Sequence, residues 1–146
     1  MRPDRRTILL VTGDLAMLVL FAMLGRRTHE EATGIEAIAA VAATAAPFVL
    51  GWLVATAWTA RSRPVRPATL LEVPALTART WLVGYPLALL VRAAALSRFS
   101  PWTFYLVAGL VPLALVLAWR LAYVALGRGL DRQRGPGGDP TRASSP

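Results

Sequence analysis

The sequence predicts an all-α protein: an integral membrane four-helix bundle with both termini cytoplasmic. Three observations carry that expectation. Apolar residues make up 55% of the 146-residue chain, and they gather into four blocks of about 20, the length that crosses about 30 Å of hydrocarbon at 1.5 Å per residue. The blocks lack the polar stripe at every third or fourth position that helices of a soluble bundle carry. Arginine, the only basic residue besides one His because Lys is absent, is unevenly spread over the segments between the blocks.

The chain opens on a short basic tail, residues 1–6. The first span is expected over residues 7–24. A secretory signal peptide has a similar basic start before an apolar run, but Asp14 interrupts the run and no small-x-small cleavage site precedes Gly25. A retained helix is therefore expected. Residues 26–34 form a short polar connection.

The second span, residues 35–58, is rich in Ala. Ala39, Ala43, Pro47, Gly51 and Ala55 recur every four residues and so share one side of a helix. A ridge of small residues lets membrane helices approach closely where no hydrophobic force drives them together. Phe48 and Trp52 form a bulky pair beside it. Residues 59–76 read as a mostly polar linker, because Pro64 and Pro67 forbid a regular helix there; Leu70, Leu71, Val73 and Leu76 are expected to dip into the interface.

The third span is expected over residues 77–96 and the fourth over residues 101–126, separated by a very short turn. Each carries one proline, Pro86 and Pro112, and Pro47 adds a third. Such prolines free a backbone carbonyl four residues earlier, which neighbours must satisfy in lipid, so kinks packed against each other are expected. From residue 127 the chain is mainly Gly, Pro, Arg, Asp and Ser, too polar to bury a core, and is expected to be disordered. The four-span domain is thus residues 7–126.

Orientation follows from the arginines. Ten lie in the N-terminal tail, the 59–76 linker and the C-terminal tail, against three (Arg26, Arg27, Arg98) in the other two connections. The positive-inside rule then places both termini in the cytoplasm and the protein in the cell membrane as a multi-pass chain. Trp58, Trp81, Trp119 and Tyr123 are expected at the inner interface, and Trp102, Phe104 and Tyr105 at the outer one. The net charge of +8 does not indicate nucleic acid, since the arginines sit in loops and tails instead of on one face of a folded domain. The absence of Cys excludes disulfides and thiolate metal sites. Abundant Ala, Arg and Pro without Lys is the composition of a GC-rich bacterial genome.

Three intramembrane charges are the candidates for chemistry. A carboxylate at the centre of a bilayer costs roughly 2.5–3.5 kcal/mol on insertion scales and is expected to pair or to face a wet cavity. Asp14 lies roughly 10 Å deep at 1.5 Å per residue, and Arg120 lies at similar depth in the fourth span, so an Asp14–Arg120 ion pair is expected. The alternatives are a proton- or ion-linked carboxylate in a transport path, and an Arg120 that snorkels to the headgroups beside a protonated Asp14. Arg92, near the outer end of the third span, follows Gly84 and Ala88 on one face. It is expected to point into the bundle toward Glu36, Glu30 or Glu31, or else to snorkel outward.

Arg26, Arg27, Thr28 and His29 form an outer-surface candidate for an anionic ligand, because two guanidiniums can grip a phosphate or carboxylate bidentately; the competing reading is a solvated helix cap. No metal is expected, because His29, Glu30 and Glu31 are adjacent and a helical site wants spacings of three or four. No cofactor is expected either.

Together these residues resemble the DUF3054 family of small membrane proteins. The resemblance rests on Gly13-Asp14, on Gly25-Arg26-Arg27-Thr28-His29, and on Pro47-Phe48 with Gly51-Trp52. It continues through Trp81, Gly84, Pro86 and Arg92 to Trp119-Arg120. It covers residues 7–125 and implies an architecture and a set of shared residues without an activity. The leading functional expectation is a small membrane subunit or scaffold acting through helix–helix contacts in the bilayer, with a second copy of itself or another membrane protein. The alternatives are a dimeric transporter or channel with an Asp14, Arg120 and Arg92 polar path, and an intramembrane enzyme or binding protein for a lipid or other hydrophobic substrate.

Overall fold

The computed structural model describes residues 4–27, 34–62, 64–96 and 101–133. It contains four helices, α1 (Arg5–Arg27), α2 (Gly34–Thr59), α3 (Glu72–Leu96) and α4 (Trp102–Gln133), and no strand among the described residues. Local chemistry explains their starts. Asp4 caps α1: its Oδ1 accepts the Thr7 backbone N–H at 2.7 Å, satisfying one of the donors that a helix start leaves free. Gly34 begins α2 with a φ of 68°, a left-handed conformation that glycine adopts without the Cβ penalty.

α3 begins five residues earlier than the expected span, at Glu72, so Val73 and Leu76 are helical. Pro74 does not prevent this, because it falls in the first turn, where a missing N–H breaks no intrahelical bond. The Glu72 carboxylate reaches back to the Ala68 N–H at 2.9 Å. α4 continues to Gln133 instead of stopping near residue 126. α1, α2 and α4 are long and apolar enough to cross a membrane. α3 matches them in length but carries Glu72, Arg79 and Arg92 among its 25 residues.

The helices form a ring in which α1 packs on α2 and α4, and α3 packs on α2 and α4. The diagonal pairs do not meet at the backbone among the described residues, and α2–α3 is the tightest pair. At one end the start of α1, the α2–α3 connection and the last turns of α4 converge. The Tyr123 hydroxyl donates to the Arg6 carbonyl at 2.8 Å, Arg66 Nη1 lies 3.5 Å from Asp4 Oδ2, and Arg128 Nη2 donates to the Ala68 carbonyl at 3.5 Å. The segments richest in arginine thus share one end.

The core is built on large side chains from every helix. Leu18 and Phe21 of α1, Phe48 and Trp52 of α2, Trp81 of α3 and Val116 of α4 form one buried cluster. Phe21 meets Phe48 edge to face at 5.5 Å, and Trp52 meets Trp81 at 6.1 Å. Trp81 is therefore a core residue and not an interface anchor, because it lies on the α3 face that includes Gly84 and packs on α2.

The small-residue ridge of α2 divides in two. Pro47, Gly51 and Ala55 are buried, whereas Ala39 and Ala43 are exposed, because burial on α2 begins only at Ala45. The prolines divide similarly. Pro47 and Pro112 are buried and Pro86 is exposed, so the three do not pack against one another as expected.

Candidate functional site

The densest polar arrangement in the bundle lies where α1, α2 and α4 meet. Asp14 falls on the α1 face that carries Leu10, Leu18 and Phe21, spaced at three or four residues, and it is fully buried. Arg120 reaches it from α4 and is 1% exposed. Its Nη2 donates to Asp14 Oδ2 at 2.6 Å, and its Nε donates to Oδ1 at 3.0 Å and to Oδ2 at 3.2 Å. This is the fork-on-carboxylate geometry that fixes direction as well as strength. The expected pairing of Asp14 with Arg120 is thus present in the structure, and Arg120 does not snorkel.

Trp52 completes the cluster. Its indole Nε1 donates to Asp14 Oδ2 at 3.2 Å, and its ring lies 5.0 Å from the Arg120 guanidinium carbon, within the range of a cation–π contact. The three side chains come from three helices, so their geometry sets the relative height of α1, α2 and α4. Sequence reasoning placed Trp52 beside the packing ridge and missed this role. The signal was available in principle: a buried indole N–H wants an acceptor, and Asp14 is a deeply placed carboxylate.

A second tie runs beside the first. The Trp119 Nε1 donates to the Leu10 carbonyl at 3.1 Å, one turn from Asp14. Its ring occupies the space that a side chain at Gly13 would fill, so a Cβ there would collide with the indole. Trp119 therefore serves the α1–α4 seam in addition to any interfacial placement. On the α2–α3 seam the contact is backbone to backbone. A Cβ at Gly51 would strike the Gly84 carbonyl oxygen, and one at Gly84 would lie 3.0 Å from the Gly51 carbonyl oxygen.

A small cavity opens beside Arg120, toward the end where the α2–α3 connection lies. It has a volume of about 10 Å³, and its walls include Thr56, Thr59, Arg79 and Thr80 with Pro64 and Val65 from the connection. A separate shallow apolar groove of about 660 Å³ lies between α3 and α4, bounded by Trp81, Tyr85, Trp102 and Leu110. Tyr85 crosses that seam to donate its hydroxyl to the Tyr105 carbonyl at 2.6 Å.

Other expected site residues lie apart from this centre. The Arg92 guanidinium sits over the Phe104 ring at 4.3 Å, tying the last turns of α3 to the start of α4 and separate from the Asp14–Arg120 pair. Glu36, one of its expected partners, is exposed. Glu30 and Glu31 lie outside the described residues. The outer anionic-ligand candidates also lie outside them, except that the backbones of Arg26 and Arg27 complete α1; Thr28 and His29 are not described. Among the described residues no group of three or more His, Asp or Glu is placed to hold a metal ion.

The family model described as "Protein of unknown function (DUF3054)" matches residues 11–123. The match includes Asp14, Arg120 and Trp52 and the Gly51–Gly84 contact. No curated protein and no solved structure matches the chain.

Proposed function

The chain belongs to the DUF3054 family, and from the saturated ion pair at its centre we propose that it is a small multi-pass subunit or scaffold of the cell membrane. In this reading it acts through its helix surfaces, on a second copy of itself or on another membrane protein. One observation carries the reading. Both oxygens of Asp14 are engaged by Arg120, and Oδ2 also receives Trp52, so the buried charge is spent on holding three helices in register. An intramembrane carboxylate used in this way builds a rigid frame on which outward faces can be displayed.

The displayed face that fits best is the outer half of α2. Ala39 and Ala43 continue the line of Pro47, Gly51 and Ala55 beyond the packed region, and the same small-residue geometry that seats α3 on Gly51 would seat a further helix there. With the positive-inside rule, the arginine-rich end faces the cytoplasm and both termini lie there.

The absence of cysteine makes a direct test clean. Ala43→Cys in the full chain is expected to form a cross-link in intact membranes, to itself or to one constant neighbour. Leu106→Cys, on the exposed surface of α4, is expected to form none. A protein that stays an uncross-linked monomer at both positions overturns the reading. Proton flux in proteoliposomes that disappears with Asp14→Asn would establish the transporter alternative instead.

A further inference from the structure

Two buried hydroxyls in the bundle, those of Thr56 and Thr77, have no hydrogen-bond partner among the described residues. Leaving a hydroxyl buried and unpaired is costly, so each orphan calls for an explanation. Their surroundings differ. Thr56, which is 8% exposed, lines the cavity beside Arg120, whereas Thr77 does not.

That cavity, at about 10 Å³, is close to the roughly 10–15 Å³ needed to seat one water molecule, which also requires two to four polar partners. The walls supply them. Arg120 offers guanidinium donors and Thr56 a hydroxyl free to donate or accept. Thr80 and Thr59 each spend their hydroxyl proton on a backbone carbonyl one turn back, those of Leu76 at 3.0 Å and Ala55 at 2.8 Å, which leaves their oxygens able to accept. The size of the space, the orphan hydroxyl and the complementary donors and acceptors converge on one occupant.

We propose that this cavity is a binding site for a single structural water, held by Thr56 and Arg120 with Thr80 or Thr59 as acceptor. The water completes the hydrogen bonding of Thr56 and extends the Asp14–Trp52–Arg120 cluster toward the α2–α3 connection. Pro64 and Val65 also form part of the cavity wall, so the water lies on the side of Arg120 that faces the α2–α3 connection. The ion pair is thereby hydrated from one side only. This site is independent of whether the protein acts as a subunit or a transporter.

The orphan at Thr77 provides an internal control. In the full-length wild-type protein, in nanodiscs with labelled threonine methyl groups, a water-to-methyl cross-relaxation signal is expected at Thr56 and absent at Thr77. No signal at Thr56, or equal signals at both, overturns the proposal. The stability of two variants gives the second readout. Thr56→Val keeps the shape and removes the hydroxyl, and it is expected to lower the ratio of folded to unfolded protein roughly fivefold, the loss typical of one hydrogen bond. Thr77→Val is expected to leave that ratio unchanged or raise it. If Thr56→Val is as stable as wild type, the cavity is dry and the proposal fails. If that variant does not fold, the wild-type signal decides alone.

Discussion

The two principal seams of this bundle are closed by opposite means. Between α2 and α3 the backbones touch: Gly51 and Gly84 face each other, with Ala55 and Ala88 alongside. Between α1 and α4 polar side chains tie the helices together, with Arg120 on Asp14, Trp119 on the Leu10 carbonyl and Tyr123 on the Arg6 carbonyl. In a bilayer the hydrophobic effect does not favour either arrangement over lipid, so association rests on close packing or on interhelical hydrogen bonds. One seam uses each. The packed seam answers to volume alone, and the bridged seam answers first to charge and hydrogen bonding.

The largest expected effect therefore lies at the ion pair. Asp14→Leu or Arg120→Met alone strands the other charge, and loss of one partner of a buried pair costs about 3–5 kcal/mol. Changing both together removes the stranded charge, and an apolar replacement of a whole pair is often close to neutral. The double variant should be more stable than either single one, as read by denaturant titration of the reconstituted protein. Additive losses would mean that the two groups are not coupled.

How much of this was legible in the sequence divides along the same line. Asp14 and Arg120 stand out because charge is rare in apolar helices, and equal depth was enough to pair them. The start of α3 was set too late because Pro64 and Pro67 made residues 59–76 read as one linker, although Pro74, in the first turn of the helix, breaks nothing. Trp81 was misplaced because an indole reads equally as interface anchor or core from sequence, and only the helix face it lands on decides; Trp52 was placed beside the ridge, but its bond to Asp14 was missed. Ala39 and Ala43 share the periodicity of Gly51 and differ from it only in height. Periodicity finds a face but not how much of it a neighbouring helix covers. His29 and its neighbours were legible as a motif, but their geometry lies outside the described residues.

A methyl group added at a glycine separates the seams at the next scale. Gly51→Ala drives a Cβ into the Gly84 carbonyl oxygen, and backbone can yield only by separating the helices, so a cost of about 2–3 kcal/mol is expected. Gly13→Ala meets the Trp119 side chain instead, which can rotate away. It forfeits the bond to Leu10 and should cost about 1–2 kcal/mol. Pairing Gly13→Ala with Trp119→Phe, which shortens the ring and removes its N–H, should add less than the sum of the two changes. If Gly13→Ala proves the costlier glycine change, the indole is held as rigidly as a backbone and the contrast between seams disappears.

The smallest effect belongs to the exposed start of α1. The Thr7 side chain, with help from the Thr7 backbone N–H, and the charges of Arg66 and Arg6 hold the Asp4 carboxylate below its ordinary value of 3.8. A carboxylate whose pKa is depressed on folding contributes stability that is fully present above the unfolded value and disappears as pH falls through the lower, folded one. Asp4→Asn keeps a capping oxygen and removes only the charge. The stability difference between wild type and Asp4→Asn should accordingly be small and constant at neutral pH, shrink with added salt, and vanish below the ordinary carboxylate range. Paired thermal melts at neutral and acid pH measure it. A difference that persists unchanged in acid would show that Asp4 caps α1 through its shape alone, and that its charge adds nothing to the tie between the start of α1 and Arg66.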